Sequence, residues 1–173
     1  AAVDSQHQII VACDLTNQAP DARHLPSLLV QVRTHTDRDP KEVSADAGYF
    51  SRANLDAIDA AGAEAFIAPE RVPHDLWRNT AAPEPLGADA TPKERMQHLL
   101  RTPRGKAAYL KRQTTVEPVF GQIKSARGLQ QVLHRGLEKV KAMWAFDCAV
   151  HNFLKIMRHE AATRPTQPSL LPT

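Results

Sequence analysis

Short apolar runs alternate with amphipathic stretches along residues 7–68, and this alternation predicts the order of the first elements. Residues 7–13 are rich in β-branched side chains and show no helical period, which predicts a strand. Residues 43–45 and 64–68 are two further apolar runs of strand length. With a helix between each pair, the order is β, α, β, α, β, which favours an α/β fold with parallel strand pairing.

Two amphipathic helices are predicted between these strands. The first takes Asp21 as its N-cap, and the second begins after Ser51 and ends at Gly62. The apolar positions at helical spacing are Leu25, Leu28, Leu29 and Val32 in the first helix and Leu55 and Ile58 in the second.

Residues 69–103 break this pattern, because they hold six of the thirteen prolines. We predict an insertion with little regular structure, apart from a short helix over residues 93–100. Residues 161–173 hold three more prolines and show no apolar period, so we expect a disordered tail.

The rest of the chain is predicted to be helical. Residues 105–128 form one helical segment, with an interruption near Pro118. Residues 137–159 form a second, and apolar side chains surround much of it. We therefore expect this second helix to be well buried, with His151 and Trp144 in the core.

Charge is unevenly distributed along the chain. The formal net charge is +3 and the pI is about 9.0. Between residues 101 and 155 only three acids, Glu117, Glu138 and Asp147, accompany a large set of cations. The cations are Arg101, Arg104, Lys106, Lys111, Arg112, Lys124, Arg127, Arg135, Lys139, Lys141 and Lys155. This half is therefore a candidate surface for nucleic-acid phosphates.

Two function classes are disfavoured. No apolar run approaches the roughly 20 residues that span a membrane. Cys13 and Cys148 lie far apart in the sequence and have no metal-binding Cys-x-x-Cys spacing, which is typical of a reduced cytoplasmic protein. Neither is predicted to be a nucleophile, since one lies in a strand and the other on an apolar helix face.

Asp46 is the first candidate for chemistry. It follows the strand over residues 43–45, and parallel sheets bind ligands at the carboxyl ends of their strands. The alternative is a turn aspartate before Gly48 that caps a loop amide.

Glu117 is the second candidate. As a metal ligand it would face the sheet, and Lys124, seven residues later, would share its helix face after about two turns. The alternative is a capping box, because Thr114 and Glu117 have the spacing of one and Pro118 is tolerated in a first helical turn.

Several short motifs together carry a resemblance to a known family. They are residues 7–12, Asp21 and residues 44–49, 109–112, 116–124, 135–140 and 151–155. In this order they resemble the C-terminal part of the catalytic domain of DDE transposases from bacterial insertion sequences. The resemblance implies a partial ribonuclease H-like domain over residues 1–160. Its mixed sheet would be flanked by helices, and the proline-rich insertion would precede the helix with the last acid.

The resemblance also implies a metal centre. Family members hold two Mg²⁺ or Mn²⁺ ions between three acidic residues, and Asp46 matches the second acid while Glu117 matches the third. The first acid would lie on a strand before residue 1, because Asp4 and Asp14 flank a later strand. We therefore expect a fragment that does not cleave DNA alone.

DNA contacts are implied by the same resemblance. Lys124 lies at the family's spacing of seven residues after the third acid. Tyr109 and Arg112 resemble the family's tyrosine and arginine, although Arg112 precedes the third acid by five residues where many relatives have four. Arg127 and Arg135 are expected to add contacts.

The expected partner is double-stranded DNA at transposon ends and target sites, bound by a homo-oligomer in the bacterial cytoplasm near the nucleoid, with no membrane. Two alternatives remain open. One is a non-catalytic DNA-binding module that uses the basic half. The other is a decayed transposase remnant without function.

Overall fold

The computed structural model describes residues 1–17, 21–71, 83–126, 128 and 131–164. The strands are β1 Ala2–Val3, β2 Ile10–Ala12, β3 Glu42–Ala45 and β4 Glu64–Ile67. The α-helices are α1 Leu25–Thr36, α2 Arg52–Ala60, α3 Pro92–Arg101, α4 Pro103–Gly121 and α5 Leu137–Thr163. Short 3-10 turns cover Asp21–His24 and Ala47–Tyr49, and a π-helical turn, Gln122–Ala126, extends α4. The fold is α/β, as predicted.

The strands form two small sheets in the described part of the chain. β3 and β4 pair in parallel, with Ser44 opposite Phe66, which confirms the predicted β-α-β unit. β1 and β2 pair antiparallel in a separate sheet. The expectation of one mixed sheet is therefore corrected for the described residues.

The strand predicted over residues 7–13 is shorter than expected because a turn occupies its start. The Asp4 carboxylate accepts a hydrogen bond from the backbone N–H of His7 at 2.7 Å, and Gln8 adopts a φ of 59°. Pairing begins only at Ile10. A local side-chain hydrogen bond thus competes with the ladder.

Helix α2 has the predicted ends. The Ser51 hydroxyl accepts a hydrogen bond from the N–H of Asn54 at 3.2 Å, and Gly62 follows with a φ of 68°. α1 differs from the prediction at its start. It begins at Leu25 after the 3-10 turn, and its N-cap position is His24 rather than Asp21.

The helix predicted in the proline-rich insertion is present as α3. A capping box begins it, in which Thr91 and Glu94 exchange side-chain and backbone hydrogen bonds. Thr102 then caps α4 by accepting from the N–H of Gly105 at 3.0 Å. A Cβ atom on Gly105 would lie 1.9 Å from the Leu99 carbonyl oxygen, so only glycine allows this tight α3–α4 junction.

The alternative interpretation of Thr114 and Glu117 as a capping box is excluded, because α4 runs through both residues. The Thr114 hydroxyl instead donates to the carbonyl of Lys111 at 3.0 Å. Pro118 lies inside the helix and cannot donate to the Thr114 carbonyl four residues earlier. The side-chain amide of Gln8 fills that position, donating to the Thr114 carbonyl at 2.8 Å.

Helix α5 is fastened to the N-terminal hairpin by polar side chains. Asn152 exchanges two hydrogen bonds of 2.8 Å with the backbone of Ile10. The His151 ring, fully buried as expected, lies 2.9 Å from the carbonyl of Gln8. Cys148 and Ile10 join Val119 and Ile123 in one core cluster, with Trp144 packed against it.

The prediction that α5 is well buried is wrong. Its described buried residues are Cys148 and His151, whereas its other side carries exposed large apolar residues. They are Phe146, Phe153, Leu154, Ile156 and Met157. None of the described helices is long and apolar enough to cross a membrane. The tail predicted over residues 161–173 starts within α5, and residues 165–173 lie outside the described part.

Candidate active site and nucleic-acid surface

Asp46 lies directly after β3, at the carboxyl end of a strand in a parallel pair. Its carbonyl accepts the N–H of Tyr49 at 2.9 Å and so starts the 3-10 turn. Its carboxylate caps no amide of that turn. The alternative interpretation of Asp46 as a turn cap is therefore excluded, and the carboxylate is available for other contacts.

Arg112 supplies that contact. Its guanidinium donates a hydrogen bond to the Asp46 carboxylate, although the two residues are 66 positions apart. The Asp46 side chain is 67% exposed, whereas the Arg112 side chain is only 12% exposed. The pair therefore joins an accessible carboxylate to a cation that the protein has largely removed from water.

The Tyr109 ring packs against the guanidinium of Arg112. The Arg112 guanidinium carbon lies 5.3 Å from the centre of the Tyr109 ring, within cation–π range. Burial raises the pKa of the Tyr109 hydroxyl, and the nearby Arg112 charge opposes that rise. Tyr109 thus remains neutral at physiological pH, and its ring contacts the Arg112 guanidinium.

Two polar atoms beside the pair have no hydrogen-bond partner in the described structure. They are Nε of Arg112 and the hydroxyl oxygen of Ser44, and both are buried. Ser44 precedes Asp46 by two residues, so both side chains lie on the same side of an extended chain. Each unpartnered atom is costly, since burial of such a group without a hydrogen bond disfavours folding by about 1–3 kcal/mol.

Glu117 does not face the sheet. It is exposed on α4, whereas Thr115 and Val119 on either side of it are buried. At about 100° per residue, Glu117 lies roughly 140° around the helix from Arg112. The expectation that Glu117 faces the sheet is therefore corrected, and its role as a metal ligand stays a prediction.

A complete metal centre is not formed by the described residues. No group of three or more histidine, cysteine, aspartate or glutamate side chains is arranged to hold an ion in residues 1–17, 21–71, 83–126 and 131–164. The carboxylate of Asp46 is paired with the Arg112 guanidinium, and Glu117 is exposed to solvent. The carboxylates present do not fit a two-ion site in this conformation.

Lys124 lies in the π-helical turn after α4 and is exposed. Its ammonium nitrogen is 5.8 Å from the centre of the Phe120 ring. The Phe120 ring stacks on the Trp144 ring, with 5.8 Å between the ring centres and an angle of 10° between the ring planes. A π turn advances less per residue than an α-helix, so seven residues no longer make two full turns from Glu117. Lys124 nevertheless keeps a cation–π contact with Phe120, whose ring is stacked on Trp144.

The remaining expected DNA contacts separate into two groups. Arg135 is exposed just before α5 and is accessible to a phosphate, while Arg127 lies outside the described residues. Tyr109 is buried and Arg112 is engaged by Asp46, so neither is presented to DNA in this conformation.

Three polar residues position the site and were not anticipated. Asn54, which is 1% exposed, donates to the carbonyls of Tyr49 at 2.7 Å and Ala22 at 2.9 Å, and so holds the turn after Asp46. The Gln8 side chain likewise donates to a backbone carbonyl of α4, and Asn152 of α5 donates to the carbonyl of Ile10 in β2. Their signal in the sequence is an amide within an apolar helix or strand pattern, which does not reveal its partner.

Comparison with known proteins agrees with the resemblance found in the sequence. The family model described as transposase DDE domain matches residues 86–157. These residues are similar to a DDE transposase. The match confirms the resemblance over less than half of the chain, a stretch that contains Arg112, Glu117 and Lys124 but not Asp46. No curated protein and no solved structure matches the chain.

Proposed function

We propose that the chain contributes to the DNA cleavage and strand-transfer centre of an insertion-sequence transposase, with a ribonuclease H-like arrangement around β3, β4 and α4. One observation carries the proposal. Arg112, within the transposase segment at residues 86–157, holds the carboxylate of Asp46, which lies outside that segment at the end of a parallel strand. The strand-end carboxylate and the matched helix therefore form one local structure.

The acids of the proposed centre are Asp46 and Glu117. Asp46 and Glu117 would hold the two Mg²⁺ or Mn²⁺ ions of such a centre, and the ions would supply activation of the nucleophile and charge stabilisation. The described conformation does not fit such ions, because Arg112 neutralises Asp46 and Glu117 is turned outward. In this conformation Arg112 holds Asp46 in place, and the exposed cations bind DNA phosphates without cleavage of the DNA.

DNA binding in the proposed function belongs to the exposed cations. Lys124 and Arg135 are presented to solvent, whereas Arg112 and Tyr109 fix the position of Asp46. Phosphate contacts by lysine and arginine release counterions from DNA, so binding should weaken steeply as salt increases.

A DNA-binding measurement tests the basic surface. Fluorescence anisotropy with a labelled duplex should show salt-sensitive binding that Lys124→Glu and Arg135→Glu each weaken about tenfold at low salt. Arg52→Glu is the matched control, because Arg52 is an exposed arginine that pairs with Asp56 on α2. Equal affinity for all four proteins would contradict the proposal.

A metal-binding measurement tests the acids. Electron paramagnetic resonance of free Mn²⁺, with duplex DNA present, should show ion binding that Asp46→Asn and Glu117→Gln both reduce. The chain alone should not nick a supercoiled plasmid. Mn²⁺ binding that neither substitution changes would remove the assignment of the two acids.

The second candidate function is a non-catalytic DNA-binding module. The observation that favours it is the neutralisation of Asp46 by Arg112, together with the absence of a three-ligand group among the described residues. This candidate predicts duplex binding that Asp46→Asn and Glu117→Gln leave unchanged, with no bound Mn²⁺ at either residue.

A further inference from the structure

Helix α5 has two unlike sides, and the side away from the protein is apolar. The inner side, which carries Cys148, His151 and Asn152, packs against β2 and the end of α4. The outer face consists of Phe146, Phe153, Leu154, Ile156 and Met157, all exposed, together with the partly buried Met143 and Val150. No described element covers the outer face.

The helix cannot turn to bury this face against its own protein. A rotation would break both hydrogen bonds between Asn152 and Ile10, and also the contact between His151 and the Gln8 carbonyl. It would also move Cys148 out of its apolar cluster. The inner contacts therefore fix the outer face towards solvent.

The spacing of the outer face is that of a helix-pairing seam. Met143, Phe146, Val150, Phe153 and Met157 follow one another at intervals of three, four, three and four residues. This is the a/d spacing with which two helices pack side by side. A seam of this kind is complementary to a second copy of itself.

The exposed area is large enough for a small dimer. Phe146 is 68% and Phe153 61% exposed. These two rings would bury on the order of 250 Å² per copy, since an aromatic side chain buries about 150–250 Å² when fully covered. With three further exposed aliphatic residues, two copies would bury roughly 1,000 Å², the lower limit for a specific interface.

The charges at the ends of the seam set its direction. Continued at the same spacing, the seam reaches Lys139, four residues before Met143, and Glu160, three residues after Met157. A parallel pair would place lysine beside lysine and glutamate beside glutamate. An antiparallel pair brings the Lys139 end of one helix to the Glu160 end of the other, which is favourable.

We propose that the outer face of α5 is a homodimer interface, in which two copies of this chain pair their α5 helices antiparallel through Phe146 and Phe153. The interface forms without DNA. It does not depend on the proposed chemistry, because Asp46, Glu117 and Lys124 are not part of it.

Sedimentation velocity of the chain without DNA tests the proposal. A monomer–dimer equilibrium should appear between about 1 and 100 μM, the range expected for an interface of this size. Phe153→Glu and, separately, Phe146→Glu should weaken dimerisation at least tenfold, because each buries a charge without a partner. Circular dichroism checks that each variant remains folded, and Phe153→Ala provides a milder change at the same position.

Val30→Glu is the matched control, because Val30 is an equally exposed apolar residue, at 67%, on α1. It should leave the dimer unchanged. A wild-type monomer at all concentrations would overturn the proposal, as would assembly that Val30→Glu and Phe153→Glu affect equally. Binding of a monomer to vesicles containing anionic lipid, lost in Phe153→Glu, would assign the face to a membrane surface and would also overturn it.

Orientation is tested by charge exchange. Lys139→Glu and Glu160→Lys should each weaken the dimer, and the double variant should restore it, because antiparallel helices then exchange the same two charges. Tighter dimerisation of either single variant than of the double variant would overturn the antiparallel arrangement.

Discussion

Arg112 donates a hydrogen bond to the carboxylate of Asp46, and this pair joins the end of β3 to the middle of α4. The arginine is largely buried and the aspartate largely exposed. A cation that is held in place by the protein therefore contacts the carboxylate that we propose as a metal ligand. Substitution of Arg112 therefore tests whether this ion pair limits metal binding at Asp46.

Arg112→Met should increase the affinity of the chain for Mn²⁺ about three- to tenfold, because the guanidinium then no longer competes with the ion for the Asp46 carboxylate. Electron paramagnetic resonance of free Mn²⁺ measures the change. Arg104→Met is the control, since Arg104 bridges the carboxylates of Glu42 and Glu64 in the same sheet without contacting Asp46. An equal rise in both variants, or in neither, would show that Arg112 does not compete with the ion.

Gln8 and Pro118 should be energetically coupled through the Thr114 carbonyl. Gln8→Ala should lower the free energy of unfolding by about 1 kcal/mol, because that carbonyl loses its donor. After Pro118→Ala the backbone N–H of residue 118 can take its place, so the same Gln8 substitution should cost less. Urea unfolding of the four proteins in this double-mutant cycle measures the coupling. Strictly additive effects would contradict this account of the proline inside α4.

Asn54→Ala should lower the free energy of unfolding by about 2–4 kcal/mol, because the carbonyls of Tyr49 and Ala22 lose their shared donor in a buried site. Ser51→Ala, which removes only the cap of the same helix, should cost about 1 kcal/mol. Thermal unfolding of both variants gives the comparison. If the two substitutions cost the same, the amide of Asn54 does not hold the turn that follows Asp46.

Cys148 should make stability depend on pH in the alkaline range. Burial raises the pKa of its thiol from 9.0 to about 12, with the nearby Cys13 adding to the rise. The unfolded chain loses this proton above pH 9 while the folded protein keeps it, so the free energy of unfolding should fall between pH 9 and pH 12. Cys148→Ala should flatten the fall, as urea unfolding at several pH values would show. An unchanged slope would mean that the thiol is accessible to solvent in the folded protein.

The order of the elements and several of their ends were predictable from local chemistry. Ser51 and Gly62 delimit α2 because a cap and a left-handed glycine act within a few residues. The parallel β3–β4 pair follows from the β-α-β pattern. The placement of Asp46 at a strand end is likewise a local property, as is the exposure of Lys124 on a basic segment.

Only the tertiary structure decided how these parts meet. The spacing of Thr114 and Glu117 is that of a capping box, but α4 runs through both residues, and Gln8, 106 positions before Thr114, donates to the Thr114 carbonyl that Pro118 cannot reach. The apolar residues of α5 have the composition of a buried helix, yet Asn152 and His151 fix the apolar side outward. Sequence patterns report local preference and periodicity. Which partner receives a hydrogen bond, and which side of a helix meets the core, depends on contacts between distant residues.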